Sequence, residues 1–482
     1  MRAGLRFGVA LLTCGALSEP GAALDAPMPA PAPAQATRTV AEPSPAPVAT
    51  PKPVAEPSAP AAAPAPAQPA AAAPAPNAPA PNVVVAKPKP KPAPPPPPIA
   101  ISQDVRPTLD TATFINTTRA ADAYLRIVEA GGWPTLPPGT VLKAGDTGPL
   151  VITLRQRLAA ERDLPAEATT SPVFDADLIK AVRRFQARHG LPESGAVREK
   201  TLQALNVPAA TRQRQLAASA HRLMGSAFAF GERYVVVNIP SATVEAVEGA
   251  HVARRYVAVV GKADRASPTV ETRITAVNLN PTWTVPVSLI KKDIIPHVRK
   301  DPGYLAKMKI RILDGKGQEV EPQTIDWSTE RAANYIVRQD PGAINSLGQM
   351  RIDMPNRHAV YMHDTPTKRL FAQGARFHSS GCVRVADVRD FAEWLLRGTP
   401  SPSGAWSKAE IDAGIATGAR QDIKLAKPVP VAWVYLTGYA MPDASVHFRE
   451  DVYGLDVEKT LPPPATEPVD PATTSSLPRK RI

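Results

Sequence analysis

The distribution of proline limits which parts of this 482-residue chain can form a packed core. Twenty-six of its 57 prolines lie between Ala26 and Ala100, mostly among Ala, Val and Lys. Such a stretch has little apolar surface to bury and favours polyproline II backbone. Residues 24–100 are therefore predicted to be an extended, disordered linker. The folded part is expected over residues 101–457, followed by a disordered tail over residues 458–482.

The first 23 residues have the pattern of an export signal. Two arginines precede an apolar run, Phe7–Leu17, and the small residues Gly21–Ala23 follow it. The run is too short to span a bilayer. A soluble periplasmic protein is predicted. The alternative is a lipoprotein anchored through Cys14, although Thr13 stands where a lipidation motif has Gly or Ala.

Removal of that signal leaves Cys382 as the only cysteine of the chain. Paired cysteines usually form disulfides in an oxidising compartment, but Cys382 has no partner within the mature chain. The alternatives for a free thiol are a reactive nucleophile and a small buried apolar side chain. No metal site and no cofactor is predicted.

The net charge of +12 has two interpretations. It indicates attraction to an anionic partner, or it contributes to solubility alone. Export makes nucleic acid an implausible partner. The basic residues are dispersed along the chain, which favours attraction to an anionic cell wall or membrane surface.

Apolar spacing predicts helices in the first part of the folded region. A helix is expected over Thr111–Ala130 within a helical segment, residues 101–140. Residues 141–208 form a compact unit of three helices, and a linking helix, Arg212–Leu223, lies in residues 209–232.

Short β-branched runs separated by turn residues follow, and they predict a mixed, mainly antiparallel sheet. The expected fold class is α+β and multidomain, with the β-rich domain over residues 233–398 and its extension over 399–457. An inserted, partly helical cap is expected at about 285–345, with a helix over Pro286–Ile295 and a strand over Lys309–Leu313.

A candidate catalytic pair stands near the end of this domain. His363 ends a strand-like run nineteen residues before Cys382, and an imidazole can activate a thiol. A helix is predicted over Val385–Leu396, so that its dipole and backbone N–H groups favour a thiolate and an oxyanion at Cys382. Gly381 permits the tight turn, and Ser380 and Gly381 are the predicted oxyanion and turn residues.

Two resemblances follow from the motifs. Residues 141–208 resemble a type 1 peptidoglycan-binding domain, through Val173–Asp175, Val182–Gln186, Gly190–Pro192 and Thr201–Asn206. Residues 141–456 as a whole resemble the capped periplasmic branch of the YkuD-family L,D-transpeptidases. The matching segments are Asn280–Pro286, Asp301–Leu305, Asn345–Gly348, Met354–His358, His363–Pro366, Ser379–Val385 and His447–Gly454.

The second resemblance implies that Cys382 attacks a stem tetrapeptide at the carbonyl between meso-diaminopimelate and D-Ala, with His363 as the base. The main-chain carbonyl of Asp364 is then expected to orient the imidazole. Ser380 replaces the second His of most members, and His378 is interpreted as a surface residue. The predicted substrate-binding residues are Arg384, Tyr361 and Ser379, with a structural ion pair as the alternative for Arg384 and core packing as that for Tyr361.

Several readings of the function remain open at this stage. The acceptor is a second stem peptide, giving 3→3 cross-links, or water in an L,D-carboxypeptidase, or an outer-membrane protein. Other wall-synthesis proteins are possible partners, and carbapenems are expected inhibitors. A non-catalytic wall-binding scaffold is the reading from a different class, and the three-helix unit either binds glycan or only docks.

Overall fold

The computed structural model describes residues 101–457, and the predicted signal peptide, Cys14, the linker and the tail lie outside them. Its helices are α1 Thr113–Glu129, α2 Pro149–Ala160, α3 Ala176–Arg188, α4 Glu199–Leu205, α5 Ala209–Leu223, α6 Val287–Leu289, α7 Ile295–Lys300, α8 Tyr304–Lys307, α9 Val388–Leu396 and α10 Lys408–Ala416. None of these helices is long and apolar enough to cross a membrane.

Helices α2, α3 and α4 form a three-helix unit around their periodic apolar residues. Leu154 and Leu158 of α2 and Leu178 and Phe185 of α3 are fully buried in one cluster. Asp175 caps α3 by accepting a hydrogen bond from the Leu178 N–H, as acidic N-cap residues commonly do. The helical pattern of this unit is as predicted.

A buried polar network joins the three-helix unit to α1 and to the C-terminal strands. The Arg157 guanidinium pairs with Glu161 at 2.8 Å, and Tyr124 of α1 donates a hydrogen bond to the same carboxylate at 2.7 Å. Arg188 pairs with Asp163 and donates to the carbonyl of Val446. Because buried charges are costly unless partnered, loss of one member of these pairs is expected to destabilise this contact.

The strands of the described region begin after α5. Their bounds are β1 Arg233–Asn238, β2 Thr243–Glu248, β3 His251–Gly261, β4 Val270–Leu279, β5 Trp283–Thr284, β6 Ile310–Leu313, β7 Ile336–Gln339, β8 Met350–Asp353, β9 Met362–His363, β10 Phe377–Ser379, β11 Val383–Val385, β12 Pro400–Ser401, β13 Gly404–Ala405, β14 Gln421–Val434, β15 Gly438–Ala440 and β16 Val446–Phe448.

Nine of these strands form one sheet in the order β10-β3-β11-β9-β8-β4-β14-β1-β2. An additional pairing between β2 and β3 closes the sheet on itself. The pairs β1–β14, β3–β10 and β9–β11 are parallel, and the others in this sheet are antiparallel. The α+β, mainly antiparallel architecture predicted from the sequence is confirmed.

Residues between β4 and β8 form a smaller unit with its own core. Strands β5, β7 and β6 pair in that order, and α6 continues through a π-helical turn, Ile290–Ile294, into α7. Ile290, Ile294 and Val337 are buried together in this unit. The helix predicted over Pro286–Ile295 is present and extends to Lys300.

The helix predicted over Val385–Leu396 begins later than expected. Val383–Val385 is strand β11, which pairs with β3 and β9, and α9 starts at Val388 after Asp387 in a left-handed conformation. Val383 and Val385 are both buried in the main core, whereas Arg384 points to the other face. The prediction of a helix dipole at Cys382 was therefore wrong, because a strand separates the thiol from α9.

Candidate active site

The register of β8, β9 and β11 sets three polar residues side by side. Arg351 pairs with His363 across β8 and β9, and His363 pairs with Arg384 across β9 and β11. Cα partners on neighbouring strands project from the same face. Cys382 and Tyr361 each lie two residues before a member of this row, so the same face carries them. The predicted residues Cys382, His363, Arg384 and Tyr361 therefore meet in one place.

The His363 imidazole is buried and held by its own strand. Its Nδ1 donates to the main-chain carbonyl of Asp364, which leaves Nε2 as the free, basic nitrogen. The Asp364 carboxylate forms no hydrogen bond with the imidazole. It pairs with Lys368 and accepts a hydrogen bond from the N–H of Gln349 at 3.1 Å. This is the carbonyl-based orientation expected from the sequence.

The turn that carries Cys382 depends on Gly381 and on two serine hydroxyls. Gly381 has φ +113°, which a residue with a side chain rarely adopts. Its carbonyl accepts from Ser267 Oγ at 2.7 Å, and its N–H donates to Ser379 Oγ at 3.2 Å. Ser379 Oγ also donates to the carbonyl of Cys382. Ser379 is only 2% exposed, and its hydroxyl holds the turn through these two hydrogen bonds.

Sequence reasoning missed Ser267 and Tyr453, which support this turn from behind. The Tyr453 hydroxyl donates to the carbonyl of Gly261 at 2.6 Å and accepts the Ser267 N–H at 3.2 Å. The available signal was the C-terminal segment His447–Gly454, which matched the family without an assigned role. The structure gives it one, because it braces the Gly381 turn through Ser267.

Ser380 and His378 lie on the exposed side of the turn. Ser380 Oγ accepts from Arg265 Nη1 at 3.1 Å, and the Arg265 guanidinium forms a two-pronged ion pair with Asp293 at 2.6 and 3.0 Å. Asp293 belongs to the π-helical turn between α6 and α7. The small unit between β4 and β8 is thereby linked to the cysteine turn. His378 is exposed and its Nε2 contacts the carbonyl of Ala375.

Arg384 is a partly buried cation that has no ion-pair partner among residues 101–457. Its Nε is buried and unpaired, and no carboxylate in residues 101–457 forms an ion pair with it. Arg351 differs, because it pairs with Asp353 and lies 4.4 Å from the centre of the Tyr361 ring. The structural ion pair considered for Arg384 is absent from the described part of the chain.

Comparison with protein families agrees with this geometry. Residues 232–402 match the family model described as "L,D-transpeptidase catalytic domain" (YkuD), and residues 147–205 match the model "Putative peptidoglycan binding domain". Residues 232–402 are thus a domain of the YkuD L,D-transpeptidase type. The three-helix unit formed by α2, α3 and α4 lies within residues 147–205 and is of the peptidoglycan-binding type.

One curated relative is the "Putative L,D-transpeptidase" of Haemophilus influenzae, 31% identical over 228 residues. The match covers 47% of this chain and 45% of that protein, so the chain spans less than half of the relative's length. Among solved structures, the L,D-transpeptidase from Mycobacterium smegmatis is 15% identical with a TM-score of 0.21 and covers 42% of this chain and 58% of that one. The enzyme from Stackebrandtia nassauensis is 15% identical with a TM-score of 0.22, covering 54% and 90%.

Burial keeps both members of the Cys–His pair of the transpeptidase domain uncharged at neutral pH. Burial raises the pKa of the Cys382 thiol to about 11, although a hydrogen bond from the Tyr361 backbone and the guanidiniums of Arg351 and Arg384 oppose it. Burial lowers the pKa of His363 to about 3, and the two guanidiniums lower it further. The resting site therefore holds an uncharged thiol and a neutral imidazole, and His363 is in the form that can accept a proton.

This charge state predicts the pH dependence of alkylation at Cys382. Because thiolate is the reactive form, the rate with iodoacetamide should rise about tenfold per pH unit from pH 6 to 9, with no plateau. The rate is measured by mass spectrometry of the peptide that contains Cys382. A plateau below pH 8 would instead show a resting thiolate–imidazolium pair.

Proposed function

We propose that Cys382 is the nucleophile of an acyl transfer on peptidoglycan stem peptides, with His363 as its base. The observation that supports the proposal is that Cys382 directly precedes β11, whose neighbour β9 carries His363 with Nδ1 held by a carbonyl and Nε2 free. The substrate is a tetrapeptide stem, and the bond broken joins meso-diaminopimelate to the terminal D-Ala. The product is a 3→3 cross-link to the amine of a second stem.

The protons move through His363 alone. As Sγ bonds to the substrate carbonyl carbon, the thiol proton passes to His363 Nε2. When the C–N bond breaks, His363 returns that proton to the nitrogen of the leaving D-Ala, and a thioester remains. The acceptor amine then attacks, gives a proton to His363, and the sulfur recovers it on release. An uncharged resting pair suits this sequence, because the proton leaves sulfur only as the bond forms.

The backbone N–H of Cys382 is our candidate for the oxyanion donor. The Gly381 N–H is already engaged by Ser379 Oγ, whereas no protein acceptor in residues 101–457 meets the N–H of Cys382. Preorganised donors of this kind stabilise the developing charge without rearrangement. Gly381 and Ser380 then act by shaping the turn.

Arg384 is assigned to a carboxylate of the substrate, because its guanidinium is partly buried near Cys382 and pairs with no carboxylate of the described residues. Neutralising this cation would also remove part of the field that lowers the pKa of His363. The base therefore becomes stronger when an anionic substrate is bound. Tyr361 remains a predicted wall of the cleft, between Arg351 and the His363 ring.

Peptidoglycan as substrate implies action outside the cytoplasm, consistent with the predicted export signal. The periplasm and a cleaved signal peptide are part of this proposal. Carbapenems are the proposed inhibitors, because they can acylate Cys382 through the same attack of sulfur on a carbonyl.

The purified protein should convert a disaccharide tetrapeptide into cross-linked dimers with release of D-Ala. Dimers require both thioester formation and attack by an amine, so they report the whole reaction. Mass spectrometry of the products is the measurement. Release of D-Ala without dimers would identify an L,D-carboxypeptidase, and dimers only with an added outer-membrane protein would identify an attachment enzyme.

The same assay separates the proposed role of Arg384 from a structural one. Arg384→Ala should raise KM for the tetrapeptide by about tenfold or more, since charge-assisted hydrogen bonds to a ligand are lost. Arg389→Ala is the matched control, because that guanidinium already pairs with Asp412. Equal effects of the two variants would contradict substrate binding by Arg384.

A further inference from the structure

A groove separates the peptidoglycan-binding-type domain from the transpeptidase sheet. Its volume is about 530 Å³. Pro192, Arg198 and Lys200 line it from the three-helix side, and Thr243 and the loop Gly374–Phe377 line it from the other. That loop leads through β10 directly into the turn of Cys382. An occupant of the groove therefore touches both domains and the segment next to the nucleophile.

The walls of the groove are held together by contacts beside it. Arg449 Nη1 donates to the carbonyl of Arg188 at 2.7 Å, and Gln215 Nε2 donates to the carbonyl of Arg449 at 2.9 Å. The His189 ring stacks on Phe448 with ring centres 5.5 Å apart. The groove is thus preformed, which reduces the entropic cost of binding.

The positive charges of the groove fall into two groups. Arg255 pairs with Glu245, and the Arg376 guanidinium donates to backbone carbonyls. Arg198 and Lys200 are exposed and form no ion pair with any carboxylate of the described chain. They are the cations available to a ligand. Two other acidic side chains, Glu199 and Glu450, also lie at the rim and repel an anionic ligand. The attraction exceeds this repulsion only for a ligand that contacts both Arg198 and Lys200.

We propose that this groove binds a peptidoglycan segment, a saccharide-linked stem peptide with free carboxylates. Arg198 and Lys200 bind the carboxylates, and the partly exposed faces of Pro192 and Phe377 contact the apolar faces of sugar or peptide. This inference rests on the proposed function for the identity of the substrate. It makes the three-helix unit part of substrate recognition by the transpeptidase domain, and it assigns that recognition to particular residues.

The test measures binding of the full chain to purified peptidoglycan sacculi by co-sedimentation, in a Cys382→Ala background that prevents turnover. Arg198→Ala/Lys200→Ala should bind about tenfold more weakly, as expected for two exposed charge contacts. Gly374→Tyr should also weaken binding by filling the groove without a change in charge, since a Cβ there has only Lys200 Nζ nearby, at 3.8 Å. Lys143→Ala/Lys180→Ala is the control, because it removes two exposed cations of the same domain away from the groove.

Carbapenem acylation is measured on the same variants with Cys382 restored. This second measurement distinguishes failure of the groove proposal from failure of the proposed function. Acylation of the unmodified protein and of the control pair Lys143→Ala/Lys180→Ala is the reference, because neither changes a residue of the groove. Unchanged sacculus binding by Arg198→Ala/Lys200→Ala and by Gly374→Tyr would overturn the groove, and so would an equal loss in the control pair. Absence of acylation at Cys382 in every protein would overturn the proposed function while leaving the binding comparison readable.

Discussion

Cys382→Ala is expected to abolish dimer formation and D-Ala release, lowering the rate by about 10⁴-fold or more. The reason is that no other thiol lies in the described chain, so nothing replaces the sulfur that carries the acyl group. Intact mass after incubation with a carbapenem gives a second reading. The unmodified protein should gain one inhibitor mass, and Cys382→Ala should gain none.

Cys382→Ser is the matched control for folding. It preserves the shape of the side chain, and the backbone contacts of the turn come from Ser379 and Ser267. Its Tm should stay within a few degrees of the unmodified protein, while its activity falls with that of Cys382→Ala. Dimers that persist in either variant at the original rate would rule out Cys382 as the nucleophile.

His363→Gln is expected to lower kcat by about 10²- to 10⁴-fold, the usual contribution of a positioned general base. A glutamine amide can still contact the carbonyl of Asp364 but cannot accept the thiol proton at neutral pH. The loss should appear both in dimer formation and in carbapenem acylation, since both begin with attack by sulfur. Tm is measured alongside, because His363 is buried.

Asp364→Asn distinguishes the two groups through which Asp364 acts. The main-chain carbonyl that receives the His363 Nδ1 proton is unchanged, and only the ion pair with Lys368 is lost. Since that lysine is largely exposed, the variant should retain at least about a tenth of the activity. Loss as large as that of His363→Gln would mean that the carboxylate, not the carbonyl, orients the imidazole.

Sequence pattern was most reliable where one local regularity decides the structure. The spacing of Leu154, Leu158, Leu178 and Phe185 predicts the helices around them, because each residue needs only its own helix to reach the core. It was misleading near Cys382. Val388, Phe391 and Leu395 do form a helical stripe, but Val383–Val385 form a strand whose pairing with β3 and β9 is fixed by residues far away in sequence.

The candidate site shows the same limit. Motifs named Cys382, His363 and Arg384 as candidates, without showing whether the charge of Arg384 was free. The charge state of the pair was not predictable either, because it depends on how deeply the assembled sheet buries the thiol and the imidazole. The burial of Ser379 and the support from Ser267 and Tyr453 likewise exist only once distant segments have met.

The brace from Tyr453 through Ser267 to Gly381 has a consequence for the order in which the enzyme becomes functional. Tyr453 lies near the end of the described region, and its backbone N–H is held in turn by the Tyr435 hydroxyl. A chain still lacking this segment already contains Cys382, His363 and the sheet that bears them, but its cysteine turn has lost its rear support. A chain truncated before Tyr453 is therefore expected to carry the thiol on a turn that lacks this support.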